Sequence, residues 1–210
     1  MADTNTIVRS RLCGLKDIYV AEVTANDANN YTTGTPVKLA RALSAKISDK
    51  FNTEKEYSDD AVEDVIETYD SSDIELSVNT LAPQDYSALF DSLYQNGFLV
   101  KSADDKAKEV AIGWRAKRMN GKYEFTWYYV GKFERPDTNY ETQTDKTKTQ
   151  TTSLKGSFYA RQKEDTVNGV KKNLYAIQVD ESNLLDGDTT AKAAITNWFS
   201  KVQEYQGATE

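Results

Sequence analysis

The run Val110-Ala111-Ile112-Gly113-Trp114-Arg115-Ala116-Lys117-Arg118-Met119-Asn120-Gly121-Lys122-Tyr123-Glu124-Phe125-Thr126-Trp127-Tyr128-Tyr129-Val130 decides the fold class. Val110, Ile112, Trp114 and Ala116 alternate with Ala111, Gly113, Arg115 and Lys117, the period of a strand. After Asn120-Gly121 the aromatic and β-branched run Tyr123–Val130 resumes. Asn-Gly readily takes the positive-φ positions of a tight turn, so a β-hairpin is expected over 108–133. Trp114, Tyr123 and Trp127 are interleaved with Arg115, Lys117, Arg118, Lys122 and Lys132. That mixture could stack nucleic-acid bases. In a sheet with one buried face, however, the rings fill the core and the charges point to water, which is the simpler reading.

Toward the C-terminus, Arg135-Pro136 ends this hairpin, and Asp137–Ser153 is Thr-rich, mixed in charge and almost devoid of apolar anchors beyond Tyr140. Leu154–Ala160 restores β character, and Asn168-Gly169 predicts a second hairpin leading to a strand at Leu174–Val179. Asp188-Thr189-Thr190 can cap a helix bearing Ala191, Ala194, Ile195, Trp198, Phe199 and Val202. Toward the N-terminus, Leu15–Val23 reads as a strand, and Val37–Ile47 as another with one wet face.

The acidic stretch Phe51–Asp73 contains Lys55 as its one cation. Val62, Val65, Ile66 and Tyr69 have helical spacing, but Val, Ile and Thr are poor helix formers and strand is expected. Ile74, Leu76 and Val78 alternate with polar residues as a further strand, and Pro83 opens a helix through Tyr86, Leu89, Phe90 and Leu93 that Gly97 stops. The expectation is a mainly β chain, one domain over 1–210. It has an N-terminal arm at 1–14, an acidic loop at 48–73, a short flanking helix, a Thr-rich loop at 136–153, and a C-terminal helix and tail at 188–210.

Composition narrows the function classes. With 39% hydrophobic and 28% charged residues the chain has the make-up of a soluble folded protein. A formal charge of -7 disfavours nonspecific adhesion to nucleic acid or an anionic membrane. Met1–Asn5 lacks a signal-peptide pattern and no apolar run reaches membrane-span length, so a soluble protein made in the cytosol is expected. Cys13 has no partner thiol and is expected to be a small buried apolar residue.

Histidine is absent, which removes the commonest general base, the Ser–His and Cys–His pairs and most zinc sites. The glycines form no nucleotide-binding loop. A glycosidase needs only two placed carboxylates, and Asp59-Asp60 with Glu63-Asp64 would supply them, but dense acidic runs are usually solvated faces. Asp59-Asp60 and Asp186-Gly187-Asp188 lack the regular spacing of a calcium loop. No catalytic residue, cofactor or metal is expected.

The order of elements resembles the major tail protein of long-tailed bacteriophages, in its phi13-type family. The likeness runs over about 12–162, from Gly14-Leu15-Lys16-Asp17-Ile18-Tyr19-Val20-Ala21 to Tyr31 and Pro36-Val37-Lys38-Leu39-Ala40. It continues through Tyr57-Ser58-Asp59-Asp60, Asp73-Ile74-Glu75-Leu76, the helix from Pro83, and Tyr128-Tyr129-Val130 with Arg135-Pro136, and returns at Leu154. The resemblance implies a β-sandwich with a flanking helix, assembling as homohexameric rings stacked into a tail tube in the virion. Its implied partners are further copies of itself, the tape measure protein, the tail terminator and distal tail proteins. Phage DNA would pass through the lumen without specific binding, and no membrane would be involved.

Six subunits giving about four strands each, spaced ~4.8 Å and tilted near 40°, would close a barrel roughly 45–50 Å across. An acidic lining would let DNA slide, because a basic one binds phosphates through counterion release. Glu54, Glu56, Asp59, Asp60, Asp73 and Glu75 are therefore the candidate lumen residues. Tyr140, Thr142, Thr144, Lys146 and Lys148, with Tyr57 and Tyr69, are candidates for subunit or ring contacts. The alternative is a carbohydrate- or protein-binding β-sandwich module of another surface or injection assembly, which predicts a monomer with an aromatic-lined site.

Overall fold

The structure, a computed structural model, describes residues 7–58, 61–138, 140, 142 and 151–206. The chain is mainly β, with a large antiparallel sheet and two helices. In order come β1 (Leu12–Asn26), β2 (Tyr31–Thr33), β3 (Val37–Lys38), β4 (Ala42–Ser58), β5 (Ala61–Val78), α1 (Pro83–Leu89), β6 (Leu93–Gln95) and β7 (Phe98–Val100). Then follow β8 (Val110–Arg118), β9 (Tyr123–Phe133), β10 (Thr152–Tyr159), β11 (Glu164–Val167), β12 (Val170–Asn173), β13 (Ala176–Asp180) and α2 (Thr189–Thr196).

The expected hairpin forms between β8 and β9, with Gly121 at φ +86 in its turn. β8 pairs one edge of β9 from Tyr123 to Gly131, while the other edge is divided. Residues Glu124–Tyr128 of β9 pair β13, and Val130–Phe133 pair β10. The sheet therefore forks at Tyr129, and its main path runs β2-β1-β8-β9-β10-β5-β4.

Forking produces a core on each face of β8 and β9. Ile18, Val20, Ile74, Leu76, Val78, Ile112, Leu154 and Phe158 pack on one side beneath Leu89 and Phe90 of the α1 region. Ala21, Ala111, Phe125, Trp127 and Tyr129 pack on the other beneath Trp198 and Val202. The one-wet-face reading of β9 is thereby corrected: it is buried on both faces through Phe125–Gly131, which explains its unbroken aromatic run. The nearby cations are largely paired. Arg118 meets Glu124 and Asp180, Lys122 meets Glu181, and Lys132 meets Glu109.

Between β9 and β10 two glycines seat two rings. Gly131 pairs Phe158, and Gly156 pairs Phe133. A Cβ on Gly156 would lie 2.8 Å from the Phe133 ring, and one on Gly131 would overlap the Phe158 ring. The missing side chains are thus the space in which the two aromatics, 5.4 Å apart edge to face, pack.

Several sequence expectations are corrected. Residues 48–58 and 61–73 do not form a loop; they are strand, as read over Phe51–Asp73, and belong to the paired 17- and 18-residue strands β4 and β5. The strand read over Val37–Ile47 is broken after Lys38 and restarts at Ala42, leaving Val37 and Leu43 exposed. Helix α1 ends at Leu89, and Asn96-Gly97 makes the positive-φ turn of the small β6–β7 hairpin instead of stopping a longer helix. Helix α2 ends at Thr196; Trp198 and Val202 reach the core from the segment beyond it. Cys13 is exposed on β1 rather than buried.

A buried cation fastens that last segment. The Arg161 side chain is fully buried, lies 4.2 Å from the Tyr129 ring centroid and 4.9 Å from that of Tyr31, and pairs Asp165 and Glu204. This pairing ties the chain near Glu204 to the end of β10.

Gly131→Ala should cost about 1–3 kcal/mol by overpacking against Phe158. Urea unfolding followed by far-UV circular dichroism measures it, and Phe158→Leu in the same chain should recover part of the loss. An unaltered midpoint in Gly131→Ala would remove the seating role.

Candidate assembly surface

Cross-strand partners in an antiparallel pair share a face, so the β4–β5 register fixes which side chains stand together. Ala45 faces Leu76 and Ile47 faces Ile74 on the core side, while Lys46 faces Glu75 and Ser48 faces Asp73 on the other. A register shift after Lys50 leaves Asp70 unpaired, and the alternation then continues. Phe51 pairs Tyr69 on the core side, whereas Glu54 pairs Ile66 and Glu56 pairs Asp64 on the outward side.

Four of the six candidate lumen carboxylates, Glu54, Glu56, Asp73 and Glu75, therefore share the outward face. Asp59 and Asp60 lie outside the described residues. The face is not uniformly acidic. Near the body Lys50 pairs Asp73 at 2.6 Å, Lys46 stands opposite Glu75, and Lys155 of β10 stands opposite Glu75 from the other side. Beyond the Phe51–Tyr69 pair, Glu54, Glu56 and Asp64 have no ion-pair partner among the described residues. The balancing lysines were present in the sequence, but only the pairing register brings Lys155 beside Glu75.

The hairpin leaves the body at Tyr69. Its ring stacks on Tyr175 with centroids 4.0 Å apart, and its hydroxyl donates to the Phe158 carbonyl at 3.2 Å. Burial pushes the Tyr69 hydroxyl pKa up to about 12. This candidate contact residue thus anchors the base of the hairpin within the chain. Farther out, the side chains of Asn52–Glu56 and Asp64–Thr68 are exposed, including the apolar Val65 and Ile66. Tyr57 lies in the same ribbon, its backbone opposite Val62. In the Thr-rich segment Tyr140 is 91% exposed and Thr142 is exposed, while Thr144, Lys146 and Lys148 lie outside the described residues.

A second surface is an open cleft between β1, β9 and the segment after α2. Tyr19 and Phe199 stack there with centroids 4.5 Å apart, and Arg115 lies 4.7 Å over the Tyr123 ring. Asp17, at φ +53 in a register shift of β1, bridges cations on two strands: it accepts from Lys38 at 2.5 Å and from Arg115 at 2.7 Å. Lys38 chiefly, with Arg115, holds its carboxyl below the ordinary carboxylate range despite partial burial. Among the described residues no group of three or more His, Cys, Asp or Glu could hold a metal ion, and no helix is long and apolar enough to cross a membrane.

No protein-family model matches the chain, and a search of curated proteins finds no match.

A carboxylate with a lowered folded-state pKa stabilises the fold above its unfolded pKa, and that contribution is lost as pH falls through the folded value. Asp17→Asn should therefore lower the urea midpoint at pH 7, and its difference from the parent chain should shrink as the pH drops below about 4. A difference that stays constant down to the acid limit would show that the charge on Asp17 contributes nothing.

Proposed function

We propose that the chain is the structural subunit of a bacteriophage tail tube, forming homohexameric rings that stack around the channel for DNA ejection in the virion. The observation that carries this reading is the β4–β5 ribbon, two strands wide and exposed on both faces over Asn52–Glu56 and Asp64–Thr68. At ~3.3 Å per residue it projects roughly 20 Å. A two-stranded ribbon is marginal in water by itself. The backbone edge of β4 ends the sheet without a neighbouring strand among the described residues. An extended, unpaired edge is ordinarily a liability that proteins cover or pair, and a further copy of the chain would do both.

In this role the sheets of six copies join edge to edge, and the outward face of β10, β5 and β4 lines the channel. Its lysines and carboxylates balance near the body and give way to Glu54, Glu56 and Asp64 along the ribbon. DNA passing that wall meets no continuous cationic track to release its counterions, so it is not held. The Thr-rich segment 137–153 joins one ring to the next. The tape measure protein, the tail terminator and distal tail proteins complete the set of partners.

The aromatic cleft at Tyr19, Tyr123 and Phe199 favours a second reading, a carbohydrate- or protein-binding module of another surface or injection assembly. In that case the chain is a monomer whose ligand covers those rings.

Negative-stain microscopy of the concentrated protein separates the two. The tail-tube reading expects six-fold rings or hollow tubes, and deletion of 140–150 should leave a folded chain that no longer polymerises. A persistent monomer in the parent chain would overturn the reading, while unchanged tubes from the deletion variant would remove the loop's role.

A further inference from the structure

The sheet has a second unpaired edge, and its charge is opposite to that of the ribbon. On one side β1 pairs β8 from Leu12 to Glu22, but on the other β3 reaches it only at Tyr19 and Val20, and β2 only from Val23 onward. Among the described residues no strand is hydrogen-bonded to the outer edge of Leu12–Asp17, which the chain at Lys38–Ala42 flanks without pairing. A groove follows this edge, walled by Leu15, Lys16 and Asp17 on one side and by Lys38–Ala42 on the other. Asp17, the groove's carboxylate, is already neutralised by Lys38 and Arg115.

The remaining charge around the groove is positive. Arg11, Lys16 and Arg41 are exposed and have no ion-pair partner among the described residues. Leu12 and Val37 add exposed apolar surface along the same edge. The ribbon presents the complement: Glu54, Glu56, Asp64 and Glu67 without ion-pair partners among the described residues, next to exposed Phe51, Val65 and Ile66.

We propose that the ribbon of one copy docks along the Leu12–Asp17 edge of a second copy, in a head-to-tail contact selected by this opposition of charge. The inference rests on the tail-tube reading and names the two halves of its subunit contact. Two acidic ribbons repel, as do two basic grooves, so ribbon-to-ribbon and groove-to-groove pairing are disfavoured. Only the heterologous match remains, and such a contact closes into a ring when its rotation allows. The strand edges supply backbone hydrogen bonds by β-augmentation, and the apolar residues supply the buried area. Charged edges commonly serve to keep sheets apart. Edges of opposite sign do the reverse for each other.

Two charge-reversed chains test this: one carries Glu54→Lys, Glu56→Lys and Asp64→Lys, the other Arg11→Glu, Lys16→Glu and Arg41→Glu. All six positions are exposed, and circular dichroism checks that both chains fold. Sedimentation velocity should show each variant alone losing at least about tenfold of the assembled fraction, the scale of a small change in contact free energy. An equimolar mixture should recover assembly, because each ribbon then meets a groove of opposite sign, alternating around the ring. If the parent chain assembles and either variant alone assembles equally well, or the folded mixture stays dispersed, this docking is wrong and the tail-tube reading stands. If the parent chain does not self-associate at any concentration, both fall.

Discussion

One strand with three partners organises this molecule. β9 shares one edge with β8 and divides the other between β13 and β10, so its two halves belong to different extensions of the sheet. Every backbone group in a buried strand needs a hydrogen-bond partner, and the fork meets that need at Tyr129 through its amide, which donates to the Tyr175 carbonyl at 3.0 Å. Burial on both faces follows, with α1 covering one core and the segment after α2 the other.

The fork also explains the ribbon. Because β13 occupies the edge of β9 below Tyr129, β10 cannot continue along it, and β10 in turn stops supporting β5 at Ser72. β4 and β5 run on past that point with only each other for partners among the described residues. Their last internal anchor is the Tyr69 ring between Phe51 and Tyr175. A core-facing pattern gives way there to charge on both faces. The same geometry that completes the body thus leaves a long, polar, half-paired element outside it, suited to contact with another molecule.

The sequence made some of this legible. Asn120-Gly121 between two alternating runs located the central hairpin, and the period-two row of Ile74, Leu76 and Val78 located the core face of β5. Asn96-Gly97 carries the same turn signal, but Tyr86, Leu89, Phe90 and Leu93 happen to have helical spacing, so Gly97 looks like a helix stop instead. Asn168-Gly169, without such competition, does make a turn, but the hairpin it closes is the short β11–β12 pair, and the strand expected beyond it, β13, pairs β9. The double burial of β9 was hidden because continuous apolar runs look alike in a one-faced and a two-faced environment once aromatics dominate. The acidic candidates were partly legible: Glu54, Glu56, Asp73 and Glu75 do share a face, but the lysine opposite Glu75 on β10 is 80 residues away in the chain and only register reveals it. The basic groove gave no motif, since Arg11, Lys16 and Arg41 are scattered singly.

The central claim is that the exposed edges of this sheet are covered by further copies of the same chain. Amide hydrogen exchange, compared between dispersed and assembled protein, addresses it at the backbone groups concerned. The account predicts slowed exchange on assembly in the outer part of β4 and in Leu12–Asp17, with β8 and β9 already protected in both states. Unchanged exchange at both edges in an assembled sample would contradict it.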